Sequence, residues 1–368
     1  MCIIASNNNR LNTVFDRKKV CMTFKEEVEF LCGKPVEVFN GDPMTIPCSE
    51  TSNAAKLCKA PLVSVRMPTY NQEEYIRQAI ESVMMQKTDF EFEVLIGDDC
   101  STDRTREICF ECQKKYPDKI RVLWSDENLF KYHGNQLRIL ARCRGEYIAI
   151  CEGDDYWSDP LKLQKQVDLI RKTGAVMCVA DSEWHYKDGA VEKFVYGGSK
   201  RLLDFEDLLE GLYFHTTTYL IDRAVYAQCK RKYPEIVFWY DRATLLLMST
   251  MGKICVLPDV VSVYRVGNGV SGLANNNSRA FATMIAVQQL QFEQCSNDKI
   301  SRYYGDKAMK HLVKHIVLAR DSRMWQFPED VRSRAMRLAR MLCRKRHGRL
   351  QELGLRFRVW RKTISANH

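Results

Sequence analysis

Two clusters of carboxylates are the residues of this sequence whose types and spacing could do chemistry. Asp98 and Asp99 follow one apolar stretch, and Asp154 and Asp155 follow another. Acidic side chains that share one site repel each other unless a cation or a hydrogen-bonding ligand holds them. A hard divalent cation also allows a diphosphate to approach carboxylates that would otherwise repel it. The clusters therefore predict a seat for a metal-bound diphosphate, whereas capping a helix would need only one such side chain.

Other devices for binding phosphate or metal are not found in the sequence. No Gly-x-x-x-x-Gly-Lys-Ser/Thr loop occurs, and the first predicted strand leads into residues 68–71, Pro-Thr-Tyr-Asn, rather than into a glycine-rich turn. A kinase-like or dinucleotide-binding site is therefore not expected. The Cys-x-x-Cys pair, Cys109 and Cys112, falls in a predicted helix without a second pair at zinc-finger spacing, so no metal or redox role is expected there.

Strands and helices alternate from Pro61 onward at the short intervals typical of a doubly wound, mostly parallel sheet. Apolar runs predict five strands, at residues 62–67, 92–96, 120–124, 147–151 and 175–180. Ligands of such a sheet bind outside the carboxyl ends of the strands, so we expect carboxylates from two neighbouring strand ends to hold one cation. After Asp181 the pattern becomes mixed and predicts a hairpin, a helix and two further strands. This change indicates a nucleotide-binding half, residues 61–181, and an acceptor-binding half, residues 182–278.

The composition is that of a globular protein. With 368 residues, 45% of them hydrophobic, the chain can form one large α/β domain with an appendage, or two domains of ordinary size. Its apolar stretches are shorter than the ~18 to 20 residues of a membrane span, and the start resembles no signal peptide, so we expect a cytoplasmic protein. Many of the fifteen cysteines lie within apolar segments, as buried thiols of a reducing compartment do.

Basic residues are concentrated at the end of the chain. Residues 329–368 hold twelve Lys and Arg against three acids, a net charge of +9 out of the total of +10. An apolar helical stripe accompanies these charges, so the segment could lie on an anionic membrane at its inner face. A solvated face packed against the body is the alternative. Nucleic-acid binding is not expected, because no recognition motif accompanies the charge.

Three ordered segments of the chain resemble the motifs of glycosyltransferase family 2, whose members have the GT-A fold. These segments are residues 63–71 (VSVRMPTYN), 97–103 (GDDCSTD) and 152–157 (EGDDYW). The resemblance extends to about residue 275, because Tyr264-Arg265 followed by residues 269–271 (Gly-Val-Ser) is similar to the closing motif of the family. It implies an α/β fold of the GT-A type, a Rossmann-like, mostly parallel sheet with flanking helices.

The predicted domain organisation follows from this extent. Residues 61–278 form the GT-A domain, and residues 279–368 form a helical, basic C-terminal region. Residues 1–60 are an N-terminal extension to which the sequence assigns no role.

The resemblance also implies the residues of a donor site. The donor-nucleotide residues would be Pro68, Thr69, Tyr70, Asn71, Asp98, Asp99, Glu152 and Asp154, with one of the two aspartates at 98 and 99 bonding the base. The cation, Mn²⁺ or Mg²⁺, would be held by Asp154 and Asp155. The family often has Asp-x-Asp where this chain has Glu152-Gly153-Asp154, so which carboxylate touches the metal stays open.

A general base is also implied, to take the proton from the acceptor hydroxyl. The family supplies it from an aspartate in the second half of the domain, and Asp241 stands at the matching place. Arg242 departs from the family, which commonly has an aromatic residue there. Asp241 could instead only cap the following helix. One base without a carboxylate nucleophile favours direct displacement with inversion at the anomeric carbon.

Weaker signals suggest contacts with the acceptor. They come from Trp157, His215, Trp239, Tyr240 and Arg265. Aromatic side chains beside a sheet can equally belong to the core, and His215 can be a structural histidine.

These features together predict an inverting glycosyltransferase of the hexosyltransferase type. It would move a sugar from a nucleoside-diphosphate sugar, a UDP-sugar in the first instance, to a hydroxyl of an acceptor glycan or lipid-linked saccharide in polysaccharide biosynthesis. The alternatives are a non-catalytic nucleotide-sugar-binding homologue and a sugar-nucleotide pyrophosphorylase. The pyrophosphorylase would be expected to have a glycine-rich, Arg-containing loop after its first strand.

Overall fold

The computed structural model describes residues 41–129, 134–209, 212–233, 241–267 and 295–301. The chain divides into two compact units, and every described residue belongs to the second unit, which begins at Glu37. The predictions made for Trp239, Tyr240, the closing motif at 269–271 and the basic segment 329–368 lie outside the described residues.

Strands and helices alternate along the described chain. The strands are β1 (Ser49–Thr51), β2 (Val63–Thr69), β3 (Phe92–Asp98), β4 (Ile120–Trp124), β5 (Tyr147–Ile150), β6 (Tyr156–Trp157), β7 (Met177–Tyr186), β8 (Val191–Phe194), β9 (Leu202–Leu203), β10 (Leu220–Asp222) and β11 (Ile254–Val266). The α-helices are α1 (Ile76–Met84), α2 (Thr105–Lys115), α3 (Gly134–Arg142), α4 (Lys162–Thr173), α5 (Phe205–Leu209), α6 (Arg223–Lys232) and α7 (Asp241–Ser249).

The described strands join in one sheet, in the order β1-β4-β3-β2-β5-β10-β7-β11-β6, with β8 paired to β7 and β9 to β11. β2 pairs in parallel with β3 and β5, and β3 pairs in parallel with β4. Nearly all residues of these four strands are buried, because helices cover the sheet. The predicted α/β sheet with flanking helices is confirmed. Strands β2 to β5 are parallel to one another, and the other strand pairs of the sheet are mostly antiparallel.

The helices bury one apolar face each, as the sequence pattern predicts. In α1 the buried side chains include Ile76, Ala79, Ile80 and Val83, which follow helical spacing and pack into the main core of the sheet. Helix α4 ends at Thr173 and is followed by the capping residue Gly174, whose φ of 66° belongs to the left-handed region that a glycine adopts without strain. The helices thus fix the carboxyl ends of the parallel strands against one core.

The second half contains two long strands that run parallel to each other. β7 and β11 pair over most of their length, and β8 folds back on β7 as the predicted hairpin, with Gly189 at φ 86° in the turn. The sequence predicted two strands near 254 and 260. The structure has one strand, β11, with register shifts on either side of Val260. β7 also extends beyond the predicted end at residue 180.

One edge of the sheet is formed by part of the N-terminal extension. β1 pairs antiparallel with β4, and Glu50 binds the guanidinium of Arg121 through two hydrogen bonds of 2.9 Å. Residues 49–51 therefore belong to the sheet. Among the described residues, no helix combines the length and the apolarity that crossing a membrane requires.

Candidate active site

The three motifs meet where the parallel strands end. Thr69 at the end of β2 is the register partner of Asp98 at the end of β3. Beyond the strands, the Asp99 backbone N–H donates to the Thr69 carbonyl at 3.0 Å, and the Gly153 N–H donates to the Pro68 carbonyl at 3.1 Å. The first motif therefore lies between the other two and is bonded to both.

This strand order corrects one expectation. The two acidic clusters follow β3 and β5, and β2 lies between these strands, so the strand ends are not neighbours. Two inter-strand spacings put them about 10 Å apart. The expectation that the two strand ends are neighbours is therefore wrong. That their carboxylates hold one cation stays a prediction.

The carboxylate of Asp98 is compensated by the protein itself. Its side chain is fully buried, and Oδ2 accepts hydrogen bonds from Arg106 Nε at 2.7 Å and from the Ser101 N–H at 3.3 Å. Asp99 Oδ1 accepts a hydrogen bond from the Leu129 N–H at 2.8 Å. Burial raises the pKa of Asp99 despite that bond. Asp98 is thus tied in an ion pair through Oδ2, and its buried Oδ1 has no hydrogen-bond partner within the described residues. Asp99 has no ion pair within the described residues.

The carboxylates after β5 are crowded. Asp154 and Asp155 are buried, and Asp155 Oδ1 accepts a hydrogen bond from the Arg265 backbone N–H at 2.9 Å. Burial raises the pKa of Asp155 well above its ordinary value, and the charges of Asp154 and Glu152 add to the shift. Burial also raises the pKa of Asp154. Burial therefore penalises the charged forms of both carboxylates, a penalty that a cation would reduce.

Glu152 completes this group. The residue as a whole is partly exposed, but its Oε2 atom is buried and has no hydrogen-bond partner within the described residues. Burial raises its pKa to about 7, with the charges of Asp241 and Asp154 acting in the same direction and that of Arg66 opposing them. The side chain therefore presents an unsatisfied oxygen close to two further carboxylates.

These residues fit an open cation site and not a closed one. Within the described ranges, no three or more His, Cys, Asp or Glu side chains form a metal-binding group. The raised pKa values of Glu152, Asp154 and Asp155, and the orphaned Glu152 oxygen, are what a cation would relieve. Mg²⁺ and similar ions often take only one or two carboxylates and complete their shell with substrate phosphates and water. The predicted ligands Asp154 and Asp155 stay a prediction.

Asp241 lies near this group, at the first residue of α7. Its Oδ2 accepts a hydrogen bond from the Tyr213 hydroxyl at 2.9 Å, and its backbone carbonyl accepts one from the Tyr219 hydroxyl at 3.2 Å. Its charge raises the pKa of Glu152 and opposes the lowering of the pKa of His215, so the carboxylate is close enough to act on both. A carboxylate held in this way can accept a proton from a hydroxyl beside it.

The first motif, residues 63–71, is joined by hydrogen bonds to the other two motifs. Asn71 has a φ of 49°, and its Oδ1 accepts a hydrogen bond from the Thr102 N–H at 2.8 Å. Thr69 is buried and its hydroxyl bonds Gln72 Oε1 at 2.7 Å, while Tyr70 is half-buried. A Cβ at Gly153 would lie 2.4 Å from that same Gln72 oxygen, so only glycine fits there. The structure thus bonds the predicted residues 68–71 to both of the segments that carry the carboxylates.

Two of the predicted acceptor residues are buried. Trp157 is 1% exposed, and its Nε1–H donates to the Thr217 carbonyl at 3.1 Å. His215 is 5% exposed and its Nδ1 bonds the Thr217 hydroxyl at 2.9 Å. Burial lowers the pKa of His215 to about 4, so it is neutral at pH 7. Both side chains support neighbouring segments in this structure and offer no open surface to a sugar.

Arg265 contacts two tyrosine rings and the backbone of Asp154. Its guanidinium lies 5.1 Å from the ring centroid of Tyr75 and 4.7 Å from that of Tyr156. It also donates to the Asp154 carbonyl. Arg242, the other arginine noted in the sequence, donates to the backbone carbonyls of Leu212 and Leu208, a structural role.

Sequence reasoning missed Arg66 and Tyr213. Arg66 is 9% exposed, donates to Gln136 Oε1 at 3.2 Å, and has a buried Nε without a partner in the described part of the chain. Its charge lowers the pKa of Glu152. An arginine inside an apolar strand was a visible signal. Tyr213 had none, because its role depends on contact with Asp241.

Several known proteins are similar to this chain in sequence or in structure. Residues 64–229 match the family model described as Glycosyl transferase family 2. Over 214 residues the chain is 30% identical to a Bacillus subtilis protein named as the teichuronic acid biosynthesis glycosyltransferase TuaG, which covers 57% of this chain and 82% of that one. The chain belongs to glycosyltransferase family 2. The resemblance read from the three motifs is confirmed.

Other similar proteins match less of their own length. An uncharacterized protein of Mycobacterium tuberculosis is 36% identical over 211 residues, which are 55% of this chain and 58% of that protein. The chain therefore spans little more than half the length of this relative. A crystal structure of Staphylococcus aureus TarS in complex with UDP-GlcNAc is similar with a TM-score of 0.52 at 17% identity, over 75% of this chain and 79% of that one. This likeness confirms the GT-A type of fold.

Proposed function

We propose that this family 2 member transfers a sugar from a nucleoside-diphosphate sugar, in the first instance a UDP-sugar, to a hydroxyl of an acceptor glycan or lipid-linked saccharide. The observation that carries the proposal is the placement of Asp241. Its carboxylate is oriented by Tyr213 and lies within electrostatic range of Glu152, in the carboxylate group that follows β5. A proton acceptor thus faces a group suited to a phosphate-bound cation.

On the donor side, the nucleotide would lie along the residues that follow β2 and β3. Asp98 pairs with Arg106, so Asp99 is the aspartate that we assign to the base. Asp154, with Asp155 beside it, would hold a divalent cation, which when bound offsets the charge of the diphosphate and stabilises it as a leaving group. The orphaned oxygen of Glu152 would accept a hydrogen bond from the donor or bind that cation.

On the acceptor side, Asp241 takes the proton from the attacking hydroxyl. The new bond forms between that oxygen and the anomeric carbon, and the bond from the anomeric carbon to the phosphate oxygen breaks with its electron pair on the diphosphate. One displacement inverts the anomeric configuration. NMR of the product tests this step, because retained configuration would contradict it.

The support from relatives concerns the substrate class. TuaG is named for teichuronic acid biosynthesis, and the TarS structure holds UDP-GlcNAc. The second agrees with a nucleotide-sugar donor, and the first agrees with a role in polysaccharide biosynthesis.

The testing experiment compares donor binding with transfer. Wild-type protein and Asp241→Asn are screened by thermal shift with UDP and UDP-sugars in the presence of Mn²⁺, and UDP release is measured with the best donor. Asp241→Asn should keep the shift and lose at least ~100-fold in UDP release, since a general base contributes that much or more. The control is Asp222→Asn, because Asp222 caps α6 through the Val225 N–H and should matter for neither property.

Two outcomes would change the proposal. Unreduced release by Asp241→Asn would place the base elsewhere. A wild-type protein that binds nucleotide sugars yet releases no UDP with any of them would be the non-catalytic homologue.

We also propose that the basic segment 329–368 binds anionic membrane from the inner face, at about 1 kcal/mol for each basic residue near the surface. Sedimentation with phosphatidylglycerol vesicles tests this. Equal binding by the chain without residues 329–368 would reject it.

A further inference from the structure

A group of aromatic side chains adjoins Asp241, and Tyr264 alone among them belongs to one of the sequence motifs. We call it the aromatic cluster, and its members are Trp184, Phe194, Tyr213, His215 and Tyr264. Trp184 on β7 is the register partner of Tyr264 on β11. Phe194 on β8 pairs with Ser182, two residues before Trp184. Positions two residues apart share a face of a sheet, so the fold collects these rings on one face.

The rings contact one another in a continuous series. Trp184 and Phe194 are stacked with centroids 5.4 Å apart and planes at 13°, and Tyr264 meets Trp184 edge-on at 5.4 Å. Tyr213 contacts Phe194 at 5.8 Å, and His215 lies 4.1 Å from Tyr264. The series ends at the base, because the Tyr213 hydroxyl donates to Asp241 Oδ2 at 2.9 Å.

The cluster is separate from the hydrophobic cores. Trp184, Phe194, Tyr213 and Tyr264 are each partly exposed, and none of them belongs to the three core clusters formed by the described residues. His215 alone is buried. Core packing therefore does not account for four large rings held together at the end of the sheet.

Two polar atoms, one on a cluster residue and one on its neighbour Ser182, lack hydrogen-bond partners among the described residues. Trp184 Nε1 and Ser182 Oγ are buried and make no hydrogen bond in the described part of the chain. Ser182 and Trp184 lie two residues apart on β7 and so share the face that carries the rings. Unsatisfied buried donors are uncommon and favour a ligand that brings hydroxyl groups.

We propose that the four partly exposed rings of the aromatic cluster, those of Trp184, Phe194, Tyr213 and Tyr264, bind a sugar ring of the acceptor and so place its hydroxyl at Asp241. This inference rests on the proposed function and deepens it. A sugar offers an apolar C–H face to aromatic rings and hydroxyls to the Trp184 N–H and the Ser182 hydroxyl. The nucleobase is a poorer occupant, because the nucleotide motifs follow β2 and β3, while β5 and β10 separate β2 from β7 in the sheet.

A binding experiment that needs no turnover tests this. Saturation-transfer NMR is recorded on the full chain with UDP, using the methyl glycosides of glucose, galactose, mannose and N-acetylglucosamine as probes. The wild type should transfer saturation to the ring C–H protons of at least one glycoside. Trp184→Leu and Phe194→Leu should each weaken its binding about three- to tenfold, as loss of one aromatic contact does. Trp184→Phe, which removes only the N–H and part of the ring, should lose less.

Matched variants and measurements separate the possible failures. Tyr116→Leu is the control, because Tyr116 follows α2, outside the aromatic cluster, and its hydroxyl bonds Glu81. The UDP thermal shift of each variant shows that its donor half is folded. No saturation transfer to any glycoside in the wild type, or equal binding by Trp184→Leu, Phe194→Leu and wild type, would overturn the inference. Absence of UDP release with glycoside binding intact would instead count against the proposed function alone.

Discussion

A buried lysine beneath the active site allows a prediction that can be worked out from the structure. Lys162, the first residue of α4, is fully buried. Its Nζ donates to Gln166 Oε1 at 2.8 Å and lies 4.1 Å from the ring centroid of Trp157, which follows the carboxylates of the site. Burial lowers its pKa from 10.5 to about 7. The charged form is therefore disfavoured in the folded protein.

The sign and size of the effect follow from proton linkage. Between pH 7 and pH 10 the unfolded chain holds the proton on Lys162 while the folded protein has mostly released it, so folding stability rises with pH. From these pKa values, the lysine lowers the free energy of unfolding by about 4 kcal/mol at pH 7 and by about 1 kcal/mol at pH 10. Lys162→Met removes this dependence. It should also stabilise the protein at pH 7 by about 3 kcal/mol, after about 1 kcal/mol for the Gln166 oxygen left without its partner.

Urea unfolding at pH 7 and pH 10 measures the effect. The change in unfolding free energy between the two pH values should be about 3 kcal/mol larger for the wild type than for Lys162→Met. Because both proteins share all other titrating groups, the contributions of those groups cancel in this difference. Lys172→Met is the control, since Lys172 is an exposed lysine of the same helix, and it should follow the wild type. Parallel pH dependences for Lys162→Met and wild type would refute the reasoning.

Three further predictions concern the site and the sheet edge. Gly153→Ala should weaken UDP binding at least tenfold by calorimetry, because its Cβ would lie 2.7 Å or less from the side-chain oxygens of Thr69 and Gln72, while Gly197→Ala, with open space around it, should bind normally. Tyr213→Phe should lower kcat about tenfold and leave the donor KM unchanged, because Asp241 loses the hydrogen bond that orients it. Equal kcat values would contradict that role. Glu50→Gln should lower the free energy of unfolding by about 1 to 3 kcal/mol in urea titrations, since it leaves a largely buried arginine with less compensation, and an unchanged value would show that the pair contributes nothing.

Much of the first half could be predicted because each strand is an apolar run followed by a helix with one apolar face. β4, for example, has the limits that its apolar run predicts. β10 was missed, since three residues carry too little pattern to identify a strand. β11 was divided in two because Pro258 and Asp259 interrupt its apolar residues, and the structure accommodates them with register shifts.

Some features of the site could likewise be predicted from the sequence, and others could not. The acidic residues could be found because they directly follow apolar strands. Their grouping could not, since strand order decides that β2 lies between them, and strand order depends on long-range pairing. The contacts of Tyr213 with Asp241 and of Trp184 with Tyr264 join residues far apart in the sequence, so only the folded chain reveals them.

The short strand β1 has a consequence for how this protein can be shortened. A protein beginning at Pro61, where the regular pattern starts, would leave the backbone of β4 unpaired along one side and Arg121 without Glu50. Exposed strand edges recruit strands from other molecules, so such a fragment would tend to aggregate. A protein that retains the residues from Gly41 keeps β4 paired with β1.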